Sequence, residues 1–141
     1  DVERFYEDHL LDFAEELRVE AEALDTLVQL RDAEIRRGVV TNTPTFLARD
    51  VLAWAGLIGL VDVTVGAGDG VASKPAPDMI LHASQALEVQ PAEVLLVGDS
   101  VFDERAAKSA KVRFLGFRTS SPPSVQRLGD VVRLVGARAR T

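Results

Sequence analysis

Three short polar clusters in this chain hold residue types that can do chemistry together. Thr41-Asn42-Thr43 follows the β-branched pair Val39-Val40. Lys74 stands in Ser73-Lys74-Pro75-Ala76-Pro77-Asp78. Asp99, Ser100 and Asp103 follow the apolar run Val94-Leu95-Leu96-Val97. Between them they offer hydroxyl and backbone donors, one ammonium and two carboxylates four residues apart. Donors and an ammonium bind phosphate oxygens, and paired acids hold a hard cation that prefers oxygen ligands. The combination suits a phosphoryl group with Mg²⁺. Helix N-termini after Thr43 and Ser100 would add partial positive charge. Taken singly, each cluster has a plainer reading as a helix cap, a helix start or a strand-to-helix turn. Three of them, each at the end of an apolar segment, point to one site.

The elements that must position these residues are legible from periodicity. Tyr6, Leu10, Phe13 and Leu17 recur on one face and predict a helix over residues 1–18. A second helix is expected over 21–36, with Leu24, Leu27, Val28 and Ile35 toward a core. Val39-Val40 forms a short strand ending at Thr41. Thr43 then reads as an N-cap, with Pro44 at the first helical position. That helix runs through Phe46, Leu47, Val51 and Trp54 to Gly56, with Trp54 in the core. Residues 61–65 predict a strand, and a helix follows from Pro75 or Pro77 to Leu87, with His82 on it; His82 and His9 read as surface or packing residues. Residues 94–97 predict a strand apolar on both faces, as in parallel sheets. A helix over 102–110 and strands at 112–117 and 131–135 complete the pattern. Helices alternating with short apolar strands define an open, mostly parallel α/β sheet. In such sheets ligands bind beyond the carboxyl ends of the strands, where all three clusters fall.

The chain has 141 residues, enough for one domain. Its 22 acids against 16 bases give a net charge of −6, which argues against nucleic acid or an anionic membrane as a partner. Cysteine is absent, which excludes disulfides and thiolate metal sites and fits a reducing cytoplasm. No apolar run approaches the roughly 20 residues of a membrane span. The first residues, acidic and mixed, do not read as a signal peptide.

VVTNTP, SKPAPD and VLLVGDSVFDERAAKSA resemble motifs II, III and IV of the haloacid dehalogenase-like hydrolases, specifically the phosphoglycolate phosphatase and β-phosphoglucomutase branch. The resemblance covers roughly residues 22–120. It implies a Rossmann-like parallel sheet with flanking helices and a Mg²⁺-dependent phosphatase acting on a small phosphorylated metabolite. Thr41 would bind the transferred phosphoryl group through its hydroxyl and Asn42 through its backbone amide. Lys74 would neutralise the phosphate and the nucleophile. Asp99 would ligate Mg²⁺, and Asp103 would be a second acid at the metal, direct or through water. In such enzymes an aspartate forms an aspartyl-phosphate that water hydrolyses.

Two departures carry consequences. A glycine is usual where Lys111 stands, so Lys111 implies a different or strained helix cap. The family's first motif, an apolar strand ending in Asp-x-Asp, carries the nucleophile, and this sequence contains no Asp-x-Asp. Asp12 and Asp25 lie in helical patterns, and Asp62 comes too late. The expected organisation is therefore the end of a helical cap over 1–20 and a core over 21–141 lacking its first strand. In the family's strand order, 5-4-1-2-3, the absent strand is the central one. An upstream segment or a second subunit would then complete the sheet; the alternative is direct pairing of the strands at 39–41 and 94–97. The competing functions are a non-catalytic domain of the same fold, a phosphoacceptor signalling domain and a haloacid dehalogenase. Asp99 argues against the last, which typically has Ser-Ser-Asn in place of Gly98-Asp99-Ser100.

Overall fold

The structure, a computed structural model, describes residues 22–68 and 70–139. The helix expected over 1–18, with His9, Asp12 and the cap-end segment 1–20, lies outside the described residues. The elements alternate as the periodicity implies. Helix α1 (Glu22–Asp32) precedes β1 (Gly38–Pro44), α2 (Thr45–Trp54) and β2 (Val63–Ala67). Then come α3 (Asp78–Ala86), β3 (Leu95–Gly98), α4 (Val101–Ala110), β4 (Arg113–Phe117), β5 (Ser124–Val125) and α5 (Asp130–Ala139).

All strand pairings are parallel. β1 pairs with β2, and β3 pairs with β4, which pairs with β5. Val40 is opposite Val65, and Leu96 is opposite Phe114. The direct pairing of β1 with β3 considered above is therefore not formed. Each of these two strands has a strand partner on one side only among the described residues.

The two parallel groups share one core nevertheless. Val40 of β1 and Leu96 of β3 both pack against Ile80 of α3 and Ala106, Ala107 and Ala110 of α4. The alanines let α4 lie close to the strands. Val40 also reaches Val65, Met79 and Ala83, so one side chain joins two clusters. On the opposite face Leu95 and Val97 pack with Leu115, Val125 and Val131. The alternation Leu95, Leu96, Val97 thus serves two faces, as the period of a strand requires. β3 is still only half-buried along its whole length.

Four expectations are corrected. Residues 131–135 are the start of helix α5, not a strand; Val131 and Val135 pack on the same cluster at helical spacing. Trp54 is 57% exposed, and Phe46 is exposed as well, because α2 buries the stripe Ala48, Val51 and Leu52, which leaves both aromatics off it. Leu24 is exposed on α1, and Thr26 is the residue buried there. Helix α2 begins at Thr45, with Pro44 rather than Thr43 as its N-cap and no side-chain cap. The Thr45 hydroxyl instead accepts from the Gly66 amide at 2.9 Å. At that crossing β2 approaches so closely that a Cβ on Gly66 would lie 2.5 Å from the Thr43 carbonyl oxygen.

Lys111 ends α4 in the left-handed conformation, φ 60° and ψ 38°, the one in which a glycine is free of strain. The chain therefore keeps the glycine-type cap and bears its steric cost, about 1–2 kcal/mol for an L side chain. Lys111→Gly is expected to raise unfolding stability by about 1 kcal/mol, after glycine's greater unfolded-state freedom is subtracted. Urea denaturation of the two proteins measures it, and an unchanged or lower midpoint would contradict a strained cap.

Candidate active site

β1 and β2 lose register between Val40 and Pro44, so the ladder is irregular across Thr41-Asn42-Thr43. Irregularities of this kind re-aim residues next to active sites. Thr41 turns its hydroxyl onto the Thr43 amide, accepting at 3.1 Å, and remains half-buried. Its own hydroxyl hydrogen is left available for a further acceptor.

Lys74 lies on the loop between β2 and α3, and its ammonium reaches inward. Nζ donates to the Val40 carbonyl at 3.2 Å and to Asp103 Oδ1 at 2.5 Å. The lysine side chain is 12% exposed and the aspartate 11%, so this ion pair is shielded from water. One cation thereby joins β1, at Val40, to the first turn of α4, the helix that follows β3.

Asp103 is fixed from both sides. Its second oxygen accepts from the Ser100 hydroxyl at 2.9 Å and the Ser100 amide at 3.3 Å, and the Ser100 hydroxyl accepts from the Asp103 amide at 3.2 Å. This reciprocal arrangement is a capping box with Asp103 at its third position. Gly98 makes room for it: a Cβ there would stand 2.6 Å from Asp103 Oδ2. Burial pushes the Asp103 carboxyl up, but the Lys74 hydrogen bond and charge and the Ser100 donors outweigh it, holding the group below the usual aspartate range.

Three of the sequence-predicted residues, Asn42, Lys74 and Asp103, are thus tied together by hydrogen bonds, while the Thr41 hydroxyl binds the Thr43 amide. Asp99 follows Gly98 at the end of β3 and is exposed. Both Asp103 oxygens are engaged, so Asp99 is the open carboxylate of the pair. Among the described residues no three His, Asp or Glu side chains form a ready cation site. The contact that sequence reasoning missed belongs to Asn42. Its side chain, not only its backbone, faces Lys74: Nδ2 donates to the Lys74 carbonyl at 3.0 Å, and Oδ1 accepts from the Lys74 amide at 2.9 Å.

Parallel strands alternating with helices, with a shielded ammonium between β1 and α4, define a Rossmann-like α/β core. The haloacid dehalogenase-like hydrolase profile matches residues 1–111, and the chain belongs to that family. A phosphoglycolate phosphatase of Cupriavidus necator is 42% identical over 87 residues, 61% of this chain and 37% of the relative. Validoxylamine A 7'-phosphate phosphatase of Streptomyces hygroscopicus is 31% identical over 110 residues, 78% of this chain and 52% of the relative. A hydrolase of the same superfamily from Ehrlichia chaffeensis superposes with a TM-score of 0.77 at 23% identity, over 84% of this chain and 58% of its own. The relatives set the chain in the phosphoglycolate phosphatase-like branch. It spans about half or less of the length of these curated relatives. No helix among the described residues is long and apolar enough to cross a membrane.

Proposed function

We propose that this chain supplies the phosphate-binding part of a Mg²⁺-dependent phosphatase for a small phosphorylated metabolite, working through an aspartyl-phosphate in the cytoplasm. The observation that carries this is Lys74, whose ammonium is held between the Val40 carbonyl and Asp103. A fixed, shielded cation of that kind stabilises negative charge developing on a phosphoryl group. Thr41 and the Asn42 amide bind its oxygens. Asp99 fits Mg²⁺ chemically, because that ion keeps several waters and takes only one or two carboxylates beside substrate phosphate. When bound, Mg²⁺ neutralises phosphate charge; Asp103 acts mainly by holding Lys74.

The nucleophilic carboxylate comes from a segment that pairs between β1 and β3, upstream or from a second subunit. Its oxygen forms a bond to phosphorus as the ester P–O bond breaks, and the leaving alkoxide takes a proton. Water then cleaves the acyl-phosphate, giving inorganic phosphate and the free carboxylate. The relatives are named for two different phosphate monoesters, which supports the ester class without choosing a substrate.

The test is hydrolysis of p-nitrophenyl phosphate with Mg²⁺ by this chain alone and by the chain expressed with its upstream coding sequence. Turnover is expected only from the longer protein. Equal turnover by the 141 residues alone overturns the placement of the nucleophile. Silence from the longer protein on every phosphate monoester tried favours a non-catalytic domain.

A further inference from the structure

We infer that the Asn42 side chain is a positioning residue for Lys74, a clamp that sets where the ammonium stands. The inference deepens the phosphatase reading, but its physical content concerns only residues of this chain. The Asn42 carboxamide engages both polar groups of the Lys74 peptide backbone, accepting from its amide at 2.9 Å and donating to its carbonyl at 3.0 Å. Only a carboxamide presents an acceptor and a donor side by side for this purpose. An aspartate keeps the acceptor alone, and an alanine keeps neither.

The clamp sits where the fold gives Lys74 little other support. Residues 71–73 just before it belong to no helix or strand, and α3 begins only at Asp78. Asn42, in contrast, belongs to β1, which pairs with β2. The side chain therefore ties a loop residue to a strand. At the far end of the lysine, Nζ meets Val40, two residues before Asn42 on the same strand. Backbone and ammonium of Lys74 are both referenced to β1, so the long flexible stem is held at its two ends.

Asn42 is exposed, so water can replace its hydrogen bonds when it is removed, and the variants are expected to fold. The consequence should appear at Lys74 rather than in global stability. The experiment is NMR on this chain, with no substrate and no metal. In the wild type the Lys74 ammonium is expected to give a resolved, slowly exchanging ¹⁵N–¹H signal, and the Lys74 amide to exchange slowly with solvent. In Asn42→Ala the ammonium signal is expected to broaden or vanish. The amide should exchange roughly tenfold faster, the scale set by one net hydrogen bond. Asn42→Asp, which keeps the acceptor, should retain amide protection and lose ammonium order only in part. A purely structural role would leave the ammonium signal in place in any folded variant. An unchanged ammonium signal in folded Asn42→Ala overturns the clamp. That result stands whatever the phosphatase assay returns, and a silent assay leaves the NMR outcome decisive for the clamp.

Discussion

Replacing Asp103 with alanine is expected to lower unfolding stability by about 3 kcal/mol at neutral pH. The substitution leaves the Lys74 ammonium, 12% exposed, without its counter-charge. Breaking one partner of a buried pair costs about 3–5 kcal/mol, because the remaining charge stays desolvated. The low end applies here, since Lys74 retains the Val40 carbonyl and a little exposure. The Ser100 amide and hydroxyl also lose their acceptor on Asp103, while the Ser100 hydroxyl still caps the amide at 103. Urea denaturation of wild type and Asp103→Ala measures the difference. A change below about 1 kcal/mol would mean that Lys74 swings into water at no cost.

The pH dependence follows from the sign of the Asp103 shift. The folded carboxyl lies below the ordinary aspartate value of 3.8. A group depressed in the folded state contributes stability that is complete above its unfolded pKa and disappears as pH falls through its folded one. The gap between wild type and Asp103→Asn should therefore be full at pH 7 and begin to close below about pH 4. A gap of the same size at pH 7 and pH 2.5 would show that the carboxylate charge plays no part.

The sequence made the frame of this molecule legible where a signal is local. Val94–Val97, an unbroken apolar run, announced a strand covered on both faces, and Leu95, Leu96 and Val97 do pack to opposite sides. Its residual exposure is not a property of those side chains: β3 has a strand partner on one side only among the described residues. Val131 and Val135 misled because a short apolar run fits either period, and only the cluster around Leu115 and Val125 selects the helix. Trp54 misled because its bulk suggested a core that the stripe Ala48, Val51, Leu52 fills without it. The site divides in the same way. Lys74 stood out through its local motif. Its pairing with Asp103, 29 residues on, and its clamp by Asn42, 32 residues back, depend on how the strands are brought together. Asp103 was legible as an acid four residues after Asp99 and, through the family resemblance, as a second acid at a metal; its hydrogen bonds to Lys74 and Ser100 depend on the fold.

Lys74→Ala in the catalytically complete protein is expected to lower kcat for a phosphate monoester on the order of 10²–10³-fold. That is the usual consequence of removing one preorganised group aimed at transition-state charge. Preorganisation here has a structural meaning. Nζ is already fixed by Val40 and Asp103, so it need not reorganise when charge develops on the phosphoryl oxygens. Two effects must be separated, because the same substitution leaves Asp103 without its cation. Its carboxyl should then rise in pKa, since burial remains and the Lys74 contribution goes. The stability lost in Lys74→Ala should accordingly be largest at neutral pH and shrink in acid, where Asp103 can protonate. The catalytic loss should persist at temperatures where the variant is fully folded, with the decrease mainly in kcat. Lys74→Arg should restore part of the stability but little of the rate. A planar fork cannot take the place of a compact ammonium between one carbonyl and one carboxylate oxygen. A folded Lys74→Ala protein turning over within a few-fold of wild type would remove Lys74 from the chemistry and leave it as the partner of Asp103 alone.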